Sequence, residues 1–457
     1  MEWIDAATAA ERLGVKPATL YAYVSRGVLK RRHGEDGRRS LFDAAEIERL
    51  ARRGRPRGQP PELVIESGIT ALGLDRPYYR GRDALGLART ATFEAVADWL
   101  WTGDPAVLPH PPLSKSGDYG TRPATPGRDA DTPPGESGRH PGMASGDQGR
   151  PPGMSSDESG GPSGTSGIGA RRGWTADLEG LRAAVAAQRD LPAGLLPLDR
   201  LQVITTVLGA SDILRHQLDP VSVTATARRL VAGLVDALPA LSEPEGDSIA
   251  ERLWSRLCPR PATPGLLVAF RAALVLLADH ELAASTLAAR VAASAKADPY
   301  AVVLTGLGVL GGPLHGGASY GAERLLTEVA EPGQASRAVA ERVRRGERVP
   351  GFGHSVYKNG DARGGLLLDL VREAAPGHER VAAAQAVLHE ARRRRLPEPN
   401  IDFALATLVA VTGMVSGAGE AVFAVARTAG WLAHAMEEYG RGSLLRLRAS
   451  YTGPPIR

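Results

Sequence analysis

The most distinctive stretch of the chain is Gly311-Gly312-Pro313-Leu314-His315-Gly316-Gly317, in which one histidine stands among four glycines and a proline. Glycine lets the backbone turn tightly and approach a ligand closely. Inside a helix, glycine costs about 1 kcal/mol and proline about 3 kcal/mol relative to alanine. The pattern therefore predicts a tight turn that presents the His315 ring to a binding site. Taken alone, it fits equally well a turn between two helices with a surface histidine.

Five further motifs accompany this turn and carry histidine, aspartate and arginine side chains. They are Ala278-Asp279-His280-Glu281 upstream and, downstream, Val349-Pro350-Gly351-Phe352-Gly353-His354 with Arg363, Pro399-Asn400-Ile401-Asp402, Ala426-Arg427-Thr428-Ala429-Gly430-Trp431, and Arg446-Leu447-Arg448. In order and approximate spacing, the set resembles the citrate synthase family. The resemblance extends from about Glu62 to Arg457, apart from one insertion.

The resemblance implies condensation of acetyl-CoA with oxaloacetate, followed by thioester hydrolysis to citrate and CoA. Removing a weakly acidic methyl proton requires a carboxylate base and a hydrogen-bond donor on the thioester oxygen. By motif match, Asp402 is the predicted base and His315 the predicted donor. His354 is predicted to polarise the ketone of oxaloacetate and to protonate its new alkoxide.

The family pattern also implies the binding residues. Arg363, Arg427 and Arg446 match the arginines that hold the substrate carboxylates, for which a planar guanidinium is better suited than lysine, and His280 adds a hydrogen bond to oxaloacetate. The family's Arg446 equivalent reaches the partner subunit's substrate, so a homodimer is implied. The loop that meets the CoA adenine contains Val349, Gly351 and Gly353. Acetyl-CoA is a co-substrate, and neither a metal nor a permanently bound cofactor is expected.

Some positions depart from the family pattern without removing a reacting group. Ser319-Tyr320 replaces Asn-Glu, Ser355 replaces an arginine after His354, and Ala362 replaces a proline. Because of these changes, the family pattern does not determine the shape of the acyl pocket or the contacts to the CoA phosphates. Propionyl-CoA, and hence a 2-methylcitrate synthase, is an alternative, since one methylene is worth only about 1–3 kcal/mol in a pocket. A second alternative is a DNA-binding regulator whose synthase domain senses a ligand.

Residues 1–57 are predicted to form a separate basic module, with 13 Lys and Arg against 8 Asp and Glu in residues 1–58. Asp5 can cap a helix over Ala6–Leu13, a second helix restarts near Pro17, and two short strands are expected between residues 27 and 42. A further helix over Ala44–Arg53 follows. The pattern resembles a MerR-type winged helix-turn-helix, whose second helix enters the major groove of DNA. The predicted DNA contacts are Thr19, Tyr21, Arg26, Lys30, Arg31, Arg38 and Arg39. The alternative is a basic docking domain for an acidic protein.

The remaining sequence defines the domain organisation. A chain of 457 residues exceeds the size of a single hydrophobic core, so several domains are expected. Residues 52–61 form a Pro/Gly/Arg linker, and residues 115–172 form a Gly/Pro/Ser-rich insertion that is predicted to be disordered. The synthase domain is assigned to residues 58–114 and 173–457, with a small domain at about 325–425.

Local patterns predict a mainly α fold. A short strand is expected over Leu63–Thr70, a helix over Thr92–Trp101, and a helix opened by Asp298-Pro299 that runs to Gly308. His434 lies in a matching Trp-x-Ala-His stretch and is predicted to be structural. The lone Cys258 cannot form an intramolecular disulfide and is expected to be buried. Since there is neither an apolar run of about 20 residues nor a signal-peptide pattern, a cytoplasmic protein without membrane contact is predicted.

Overall fold

In the computed structural model, the chain divides into two units. The smaller unit consists of Met1–Glu66 and Leu445–Arg457, and the larger unit consists of Ser67–Leu444. The residues that the structure describes are 3–13, 20–21, 23–24, 29–33, 40–44, 46–47, 64–109, 173–447, 449 and 451–453. The predicted linker at residues 52–61 and the predicted disordered insertion at residues 115–172 lie outside these ranges. The predicted domain boundaries remain predictions.

The smaller unit contains the predicted first helix and a three-stranded antiparallel sheet. Helix α1 spans Ala6–Leu13, and the Thr8 backbone N–H donates to Asp5 Oδ1 at 2.8 Å. Strands β1 (Trp3–Asp5), β2 (Arg31–His33) and β3 (Ser40–Asp43) pair in the order β1-β3-β2. The helix and the two predicted strands are confirmed, whereas β1 was not predicted.

Helical residues in the same unit occur at 20–21, 23–24, 44 and 46–47. Leu20, Phe42 and Ile47 are fully buried and form the core of the unit. Of the predicted DNA contacts, Tyr21, Lys30 and Arg31 are exposed. Thr19, Arg26, Arg38 and Arg39 lie outside the described residues.

The larger unit is mainly α, as predicted. Its three short strands are β4 (Thr70–Leu72), β5 (Pro77–Tyr79) and β6 (Arg82–Asp83), which pair in sequence order. The helices are α2 (Ala84–Thr90), α3 (Phe93–Thr102), α4 (Leu178–Ala186), α5 (Pro197–Ser211), α6 (Pro220–Asp236), α7 (Ile249–Leu257), α8 (Pro264–Leu277), α9 (Ala284–Ser294), α10 (Pro299–Leu310), α11 (Gly317–Glu328), α12 (Ala335–Arg344), α13 (Ala362–Ala374), α14 (Glu379–Arg393), α15 (Ile401–Thr412) and α16 (Ala418–Arg441). Short 3-10 turns occur at Pro105–Val107 and Pro332–Gln334.

The predicted strand over Leu63–Thr70 is wrong in position, because pairing begins only at Thr70, opposite Tyr79. The turn that permits this pairing is closed by the Gly73 N–H, which donates to the Arg76 carbonyl at 2.9 Å. The Arg80 N–H also donates to the Ile69 carbonyl at 2.8 Å, but residues 64–69 are not assigned to a strand.

Helix starts agree with the capping residues in the sequence. Thr92 Oγ1 accepts the Ala95 N–H at 3.2 Å, and Asp298 Oδ1 accepts the Tyr300 N–H at 3.0 Å. Helix α10 continues two residues beyond the predicted end at Gly308. Close packing accounts for a glycine inside this helix: a Cβ at Gly306 would lie 2.6 Å from the Trp431 ring.

Two hydrophobic clusters form the core of the larger unit. The main cluster surrounds α8 and α16, and α16 is buried over most of its first 18 residues. The second cluster joins α11, α12, α14 and α15. Leu405 and Leu408 of α15 pack in the main cluster, whereas Phe403 and Ala406 pack in the second. Helix α15 therefore connects the two clusters, and Asp402 stands in its first turn.

Two further sequence expectations concern single features. Cys258 is a buried free thiol, as predicted. None of the helices in the described part of the chain has the length and apolar character needed to cross a bilayer.

Candidate active site

His315 lies in a tight turn between α10 and α11. The His315 N–H donates to the Gly312 carbonyl at 2.9 Å, and the Gly317 N–H donates to the same oxygen at 3.2 Å. A Cβ at Gly317 would come within 2.8 Å of the Gly311 and Gly312 carbonyl oxygens, so this turn requires glycine. The predicted turn is therefore present, and its histidine is half-buried rather than on the surface.

The His315 ring is held from α9 and α16. Its Nε2 lies 2.6 Å from Ser285 Oγ, which also accepts a hydrogen bond from Trp431 Nε1 at 3.2 Å. The ring packs edge-on against Phe423, with centroids 5.7 Å apart. Burial, with a contribution from the nearby Arg427 guanidinium, lowers the pKa of His315 to about 4. The imidazole is consequently neutral at physiological pH.

His354 ends a glycine loop that pairs with the segment preceding α15. The Gly353 N–H donates to the Glu398 carbonyl at 2.8 Å, and the Asn400 N–H donates to the Gly351 carbonyl at 2.9 Å. Both glycines have φ near +80°, in the left-handed region. A Cβ at Gly351 would lie 2.7 Å from Phe403 Cβ, so the loop packs directly on the first turn of α15. The loop and Asp402 are thereby held together.

The tautomer of His354 follows from its neighbours. Its Nδ1 accepts backbone N–H groups from Val356 and Tyr357 at 3.0 and 3.1 Å. The two shorter bonds at Nδ1 place the proton of the neutral ring on Nε2. Arg363 Nη2, which can only donate, lies farther away, 3.4 Å from Nε2, and is not hydrogen-bonded to it in this tautomer. Burial, reinforced by the Arg363 charge, lowers the pKa of His354 to about 4. His354 therefore presents a neutral N–H donor.

Arg363 and the first turn of α15 are joined through Asp361. This buried carboxylate accepts Arg363 Nε and Nη2 at 2.9 and 2.8 Å, and its Oδ2 also accepts the Ile401 N–H at 3.1 Å. The Asp402 N–H in turn donates to Asn400 Oδ1 at 3.0 Å. The Arg363 side chain and the backbone at Asp402 are thus fixed by hydrogen bonds at the same helix start.

The Asp402 carboxylate itself is largely unsatisfied. Its Oδ1 is buried and has no hydrogen-bond partner among the described residues. Burial raises the pKa of Asp402 to about 7, an increase that Arg363 and Arg427 oppose and Asp361 supports. A carboxyl group that titrates near neutrality and has a free oxygen can accept a proton from a bound molecule.

Arg427 is almost completely buried in α16. Its Nε donates to the Leu277 carbonyl at 2.8 Å, and its guanidinium lies 4.7 Å from the centre of the Phe423 ring. Its Nη1 is buried without a partner in the part of the chain that the structure describes. Burial lowers the pKa of Arg427 to about 10, while Asp279 acts in the opposite direction. A buried cation with an open N–H can bind a carboxylate.

His280 follows the end of α8 and is not part of the helix. Its Nε2 lies 3.0 Å from Tyr357 Oη, and its ring is 5.2 Å from the His354 ring. Burial lowers the pKa of His280 well below its ordinary value, and Arg363, Arg427, His354 and His315 all add to this effect. His280 is therefore close to four of the other predicted residues.

The predicted residues of the larger unit come together at one site. Asp402 interacts electrostatically with both Arg363 and Arg427, which links it to the group around His280. Arg446 belongs to the smaller unit, where its side chain is exposed, so its predicted role stays a prediction. Within the described residues, no group of three or more His, Cys, Asp or Glu side chains is placed to hold a metal ion.

Three residues of the site were not singled out from the sequence. Tyr357 and Asp361 stand between His354 and Arg363, and their proximity to those residues is the signal that could have identified them. Ser285 lies 30 residues before its partner His315, in a helix with no distinctive motif. Only the fold brings Ser285 into contact with the imidazole.

Comparisons with known proteins show which family the chain resembles. A family model described as "Citrate synthase, C-terminal domain" matches residues 173–448, and a helix-turn-helix domain model matches residues 3–55. Citrate synthase 2 of Bacillus subtilis is 34% identical over 307 residues, which cover 61% of this chain and 82% of the relative. A 2-methylcitrate synthase of Corynebacterium glutamicum is 30% identical over 285 residues, covering 58% and 74% of the two chains.

Two solved structures are similar in fold. Citrate synthase from Thermotoga maritima has a TM-score of 0.62 at 23% identity, covering 88% of this chain and 96% of that chain. A citrate synthase from Thermoplasma acidophilum, solved as a ternary complex with carboxymethyl coenzyme A and oxaloacetate, has a TM-score of 0.62 at 21% identity, covering 87% and 96%.

Proposed function

Because the chain belongs to the citrate synthase family and is an enzyme of that type, we propose that it condenses acetyl-CoA with oxaloacetate and hydrolyses the resulting thioester to citrate and CoA. The observation that carries this proposal is the pair of open groups in one buried site. Asp402 Oδ1 and Arg427 Nη1 are both buried without partners in the described chain. A free carboxylate oxygen and a free guanidinium N–H match a substrate that brings both an acidic C–H group and a carboxylate.

The first step is removal of a methyl proton from acetyl-CoA. Asp402 takes this proton, because its pKa near 7 places it close to the optimum for a general base at neutral pH. His315 stabilises the enolate oxygen. Ser285 accepts the Trp431 N–H and donates its own proton to His315 Nε2, which leaves the ring proton on Nδ1 for the substrate. A neutral donor suits this role, since the nearby Asp402 Oδ1 and Arg427 Nη1 are buried, and a preorganised donor acts more strongly where water is excluded.

The second step is attack of the enolate on the oxaloacetate ketone. His354 polarises this ketone through Nε2–H and passes this proton to the alkoxide. The ring then regains a proton from water, while Asp402 releases the proton that it took from the methyl group, so that the protons balance. The Nδ1 of His354 is occupied by two backbone donors, so the ring cannot switch to the opposite tautomer without losing both bonds. His280 contributes a further hydrogen bond to oxaloacetate.

The two arginines bind the carboxylates of oxaloacetate. Asp361 holds the Arg363 guanidinium in a fixed plane, which favours bidentate binding. Arg427 offers Nη1 from a position fixed by the Leu277 carbonyl. Because both cations are buried, a bound dianion relieves a substantial desolvation cost.

CoA is proposed to bind at the loop that contains Val349, Gly351 and Gly353, whose backbone can approach the adenine closely. The related Thermoplasma enzyme binds carboxymethyl coenzyme A and oxaloacetate, which supports the same pair of ligands here. Citrate synthases need no permanently bound cofactor, and acetyl-CoA enters as a co-substrate.

Arg446 is proposed to complete the site of the other subunit in a homodimer. Two inactive variants, Arg446→Ala and Asp402→Asn, test this arrangement when they are mixed under conditions that exchange subunits. A mixed dimer would contain one intact site, so random exchange restores at most about one quarter of the wild-type activity. Failure to recover any activity after demonstrated subunit exchange contradicts a shared site.

The choice between acetyl-CoA and propionyl-CoA requires an experiment, because relatives include both citrate and 2-methylcitrate synthases. The test is release of free CoA thiol by the purified protein, with oxaloacetate and either acetyl-CoA or propionyl-CoA. We expect oxaloacetate-dependent release with a higher kcat/KM for acetyl-CoA. A higher value for propionyl-CoA would favour the 2-methylcitrate reaction, and no turnover with either would favour the ligand-sensing regulator.

A second activity is proposed for the N-terminal module, which matches a helix-turn-helix domain over residues 3–55. Lys30, Arg31 and Arg32 are exposed at strand β2, the predicted wing, where they can contact phosphates. Because one module makes few phosphate contacts, useful affinity would require the two modules of a dimer.

Mobility-shift measurements with a random-sequence duplex library test the DNA hypothesis. We expect retention at low salt, an affinity that falls log-linearly with salt concentration, and weaker binding after charge reversal at Arg38 and Arg39. Synthase activity should be unaffected by that reversal. If the library is not retained at low salt, the alternative of a docking domain for an acidic protein is favoured.

A further inference from the structure

A buried chain of polar side chains lies behind the candidate site. The side chains of Arg290, Glu438, His434 and Asp279 are all completely buried. Arg290 Nε donates to Glu438 Oε1 at 2.7 Å, and Arg290 Nη1 donates to Glu437 Oε2 at 2.7 Å. None of these residues was assigned a function above, although Asp279 directly precedes His280.

The proton positions in this chain are determined by its chemistry. Arg290 Nη1 lies 2.6 Å from His434 Nδ1, and a guanidinium can only donate. Nδ1 must therefore accept, and the ring proton is on Nε2. From there it points to Asp279 Oδ2, 3.3 Å away. Arg290 thus selects the His434 tautomer that can hold the Asp279 carboxylate.

Asp279 in turn shapes the turn that carries His280. Its Oδ2 also accepts the Glu281 N–H at 3.1 Å. Glu281 has φ of +52°, a left-handed conformation that is costly for a residue other than glycine. Tyr79 Oη lies 3.1 Å from the Asp279 carbonyl, which shares the one hydroxyl proton with the Val275 and Leu276 carbonyls. The turn is therefore constrained at both its side chain and its backbone.

Asp279 is also a counter-charge of Arg427. Burial lowers the pKa of Arg427, and among the nearby charges that raise this pKa, the Asp279 carboxylate contributes most. A buried guanidinium is strongly disfavoured unless an opposite charge compensates it. The position of the Asp279 carboxylate therefore affects both predicted oxaloacetate ligands, His280 through the turn and Arg427 through its charge.

We propose that His434 is a positioning residue for oxaloacetate: its Nε2 proton fixes Asp279, and Asp279 in turn fixes His280 and Arg427 for substrate binding. His434 does not touch the substrate. The inference rests on the proposed function, because it requires oxaloacetate as the ligand of His280 and Arg427. The described hydrogen bonds of Arg290, Glu438, His434 and Asp279 do not include His315 or Asp402. Acetyl-CoA binding should therefore be affected much less.

Three variants of α16 test the proposal. His434→Leu removes both the acceptor and the donor, whereas His434→Gln can accept from Arg290 and donate to Asp279 through its amide. Leu432→Ala is the matched control, because Leu432 is equally buried in the same helix but lies in the hydrophobic cluster. For each variant, the KM values for oxaloacetate and acetyl-CoA, kcat and the melting temperature are measured.

We expect His434→Leu to raise the KM for oxaloacetate by about 10- to 100-fold, the range for a small misplacement of substrate-binding groups. The KM for acetyl-CoA should change by less than about threefold, and His434→Gln should recover most of the oxaloacetate affinity. If His434→Leu does not fold, His434→Asn replaces it, since its shorter amide can keep only one of the two bonds. It should give an intermediate KM.

Two results would overturn the proposal: a folded His434→Leu or His434→Asn variant with an unchanged KM for oxaloacetate, or an equal rise in Leu432→Ala at a similar loss of melting temperature. A wild-type protein that neither turns over nor binds oxaloacetate would instead overturn the proposed function, and this inference with it. The wild-type measurement therefore distinguishes the two failures.

Discussion

Replacing Asp402 by asparagine should make the protein more stable above pH 7 while abolishing condensation. Burial raises the pKa of Asp402 from its ordinary value of 3.8 to about 7. In the unfolded chain the group ionises near pH 4, whereas in the folded protein it retains its proton up to about pH 7. Folding stability therefore falls as the pH rises through this window and stays low above it. An asparagine side chain at this position does not ionise and would not carry this penalty.

The magnitude follows from the pKa. One pKa unit corresponds to about 1.36 kcal/mol, so the full penalty is about 4 kcal/mol. We expect roughly half of this value, about 2 kcal/mol, because effective dielectric constants at buried sites are nearer 20 than 4. Asp402→Asn should match the wild type near pH 4 and be more stable by this amount at pH 8. The loss of activity should be in kcat, with oxaloacetate affinity nearly intact, because the base and the substrate-binding groups are different residues.

The assay is urea unfolding of both proteins at several pH values, combined with CoA-thiol release. Glu420→Gln is the matched control. Burial, followed by Glu323, Asp199 and Asp402, also raises the pKa of Glu420 to about 7, yet Glu420 has no proposed catalytic role. This control should gain stability above pH 7 and keep its activity. In the wild type, kcat/KM should rise with pH through an apparent pKa near 7.

Two outcomes would refute this reasoning. Equal pH dependence of stability in the wild type and in Asp402→Asn would show that Asp402 does not carry the raised pKa. Substantial turnover by Asp402→Asn at saturating substrates would show that Asp402 is not the base.

Three further predictions concern other parts of the chain. Ser285→Ala should lower kcat about 10- to 100-fold, because His315 loses its partner, and should cost about 1–3 kcal/mol in urea unfolding because Trp431 Nε1 is left without an acceptor; an unchanged kcat would contradict the role of Ser285. Truncation at Gln59 should leave kcat unchanged, since the reacting groups lie beyond residue 279, and a large decrease would show that the N-terminal module supports catalysis. Replacing residues 115–172 by a short Gly/Ser bridge should leave the melting temperature within a few degrees, because closure entropy depends only logarithmically on loop length; a larger drop would argue for a structural role.

The site residues that sequence reasoning identified share one property: each lies in a short local motif. His315 stands among glycines that only a tight turn requires, and Asp402 follows Asn400, whose side chain caps α15. Motif and local structure coincide at these positions, so the sequence is informative there.

The contacts that orient these residues could not be predicted in the same way. His434 and Asp279 are 155 residues apart, and Trp431 and Ser285 are 146 residues apart. Such pairs depend on how α8, α9 and α16 pack, and helical periodicity indicates only which faces are buried. His434 was accordingly predicted to be structural, without identification of its partners.

The secondary structure, too, could be predicted only where its signal lies in a short stretch of sequence. Asp298-Pro299 identified the start of α10, because a cap is a local hydrogen bond, whereas apolar periodicity identified α3. The sheet β4–β6 was missed, since strands of two or three residues carry too little alternation to be recognised. The predicted end of α10 at Gly308 is two residues too early, because glycine commonly ends helices, whereas Gly308 lies inside this helix.

The most direct test of the central claim is to follow the carbon atoms of the substrate. The purified protein is incubated with acetyl-CoA labelled with carbon-13 at the methyl group, with and without oxaloacetate, and labelled citrate and free CoA are quantified by NMR and thiol titration. We predict equal amounts of citrate and CoA, and negligible CoA release without oxaloacetate. Release of CoA without oxaloacetate, or no labelled citrate when both substrates are present, would contradict assignment of this site to acyl condensation.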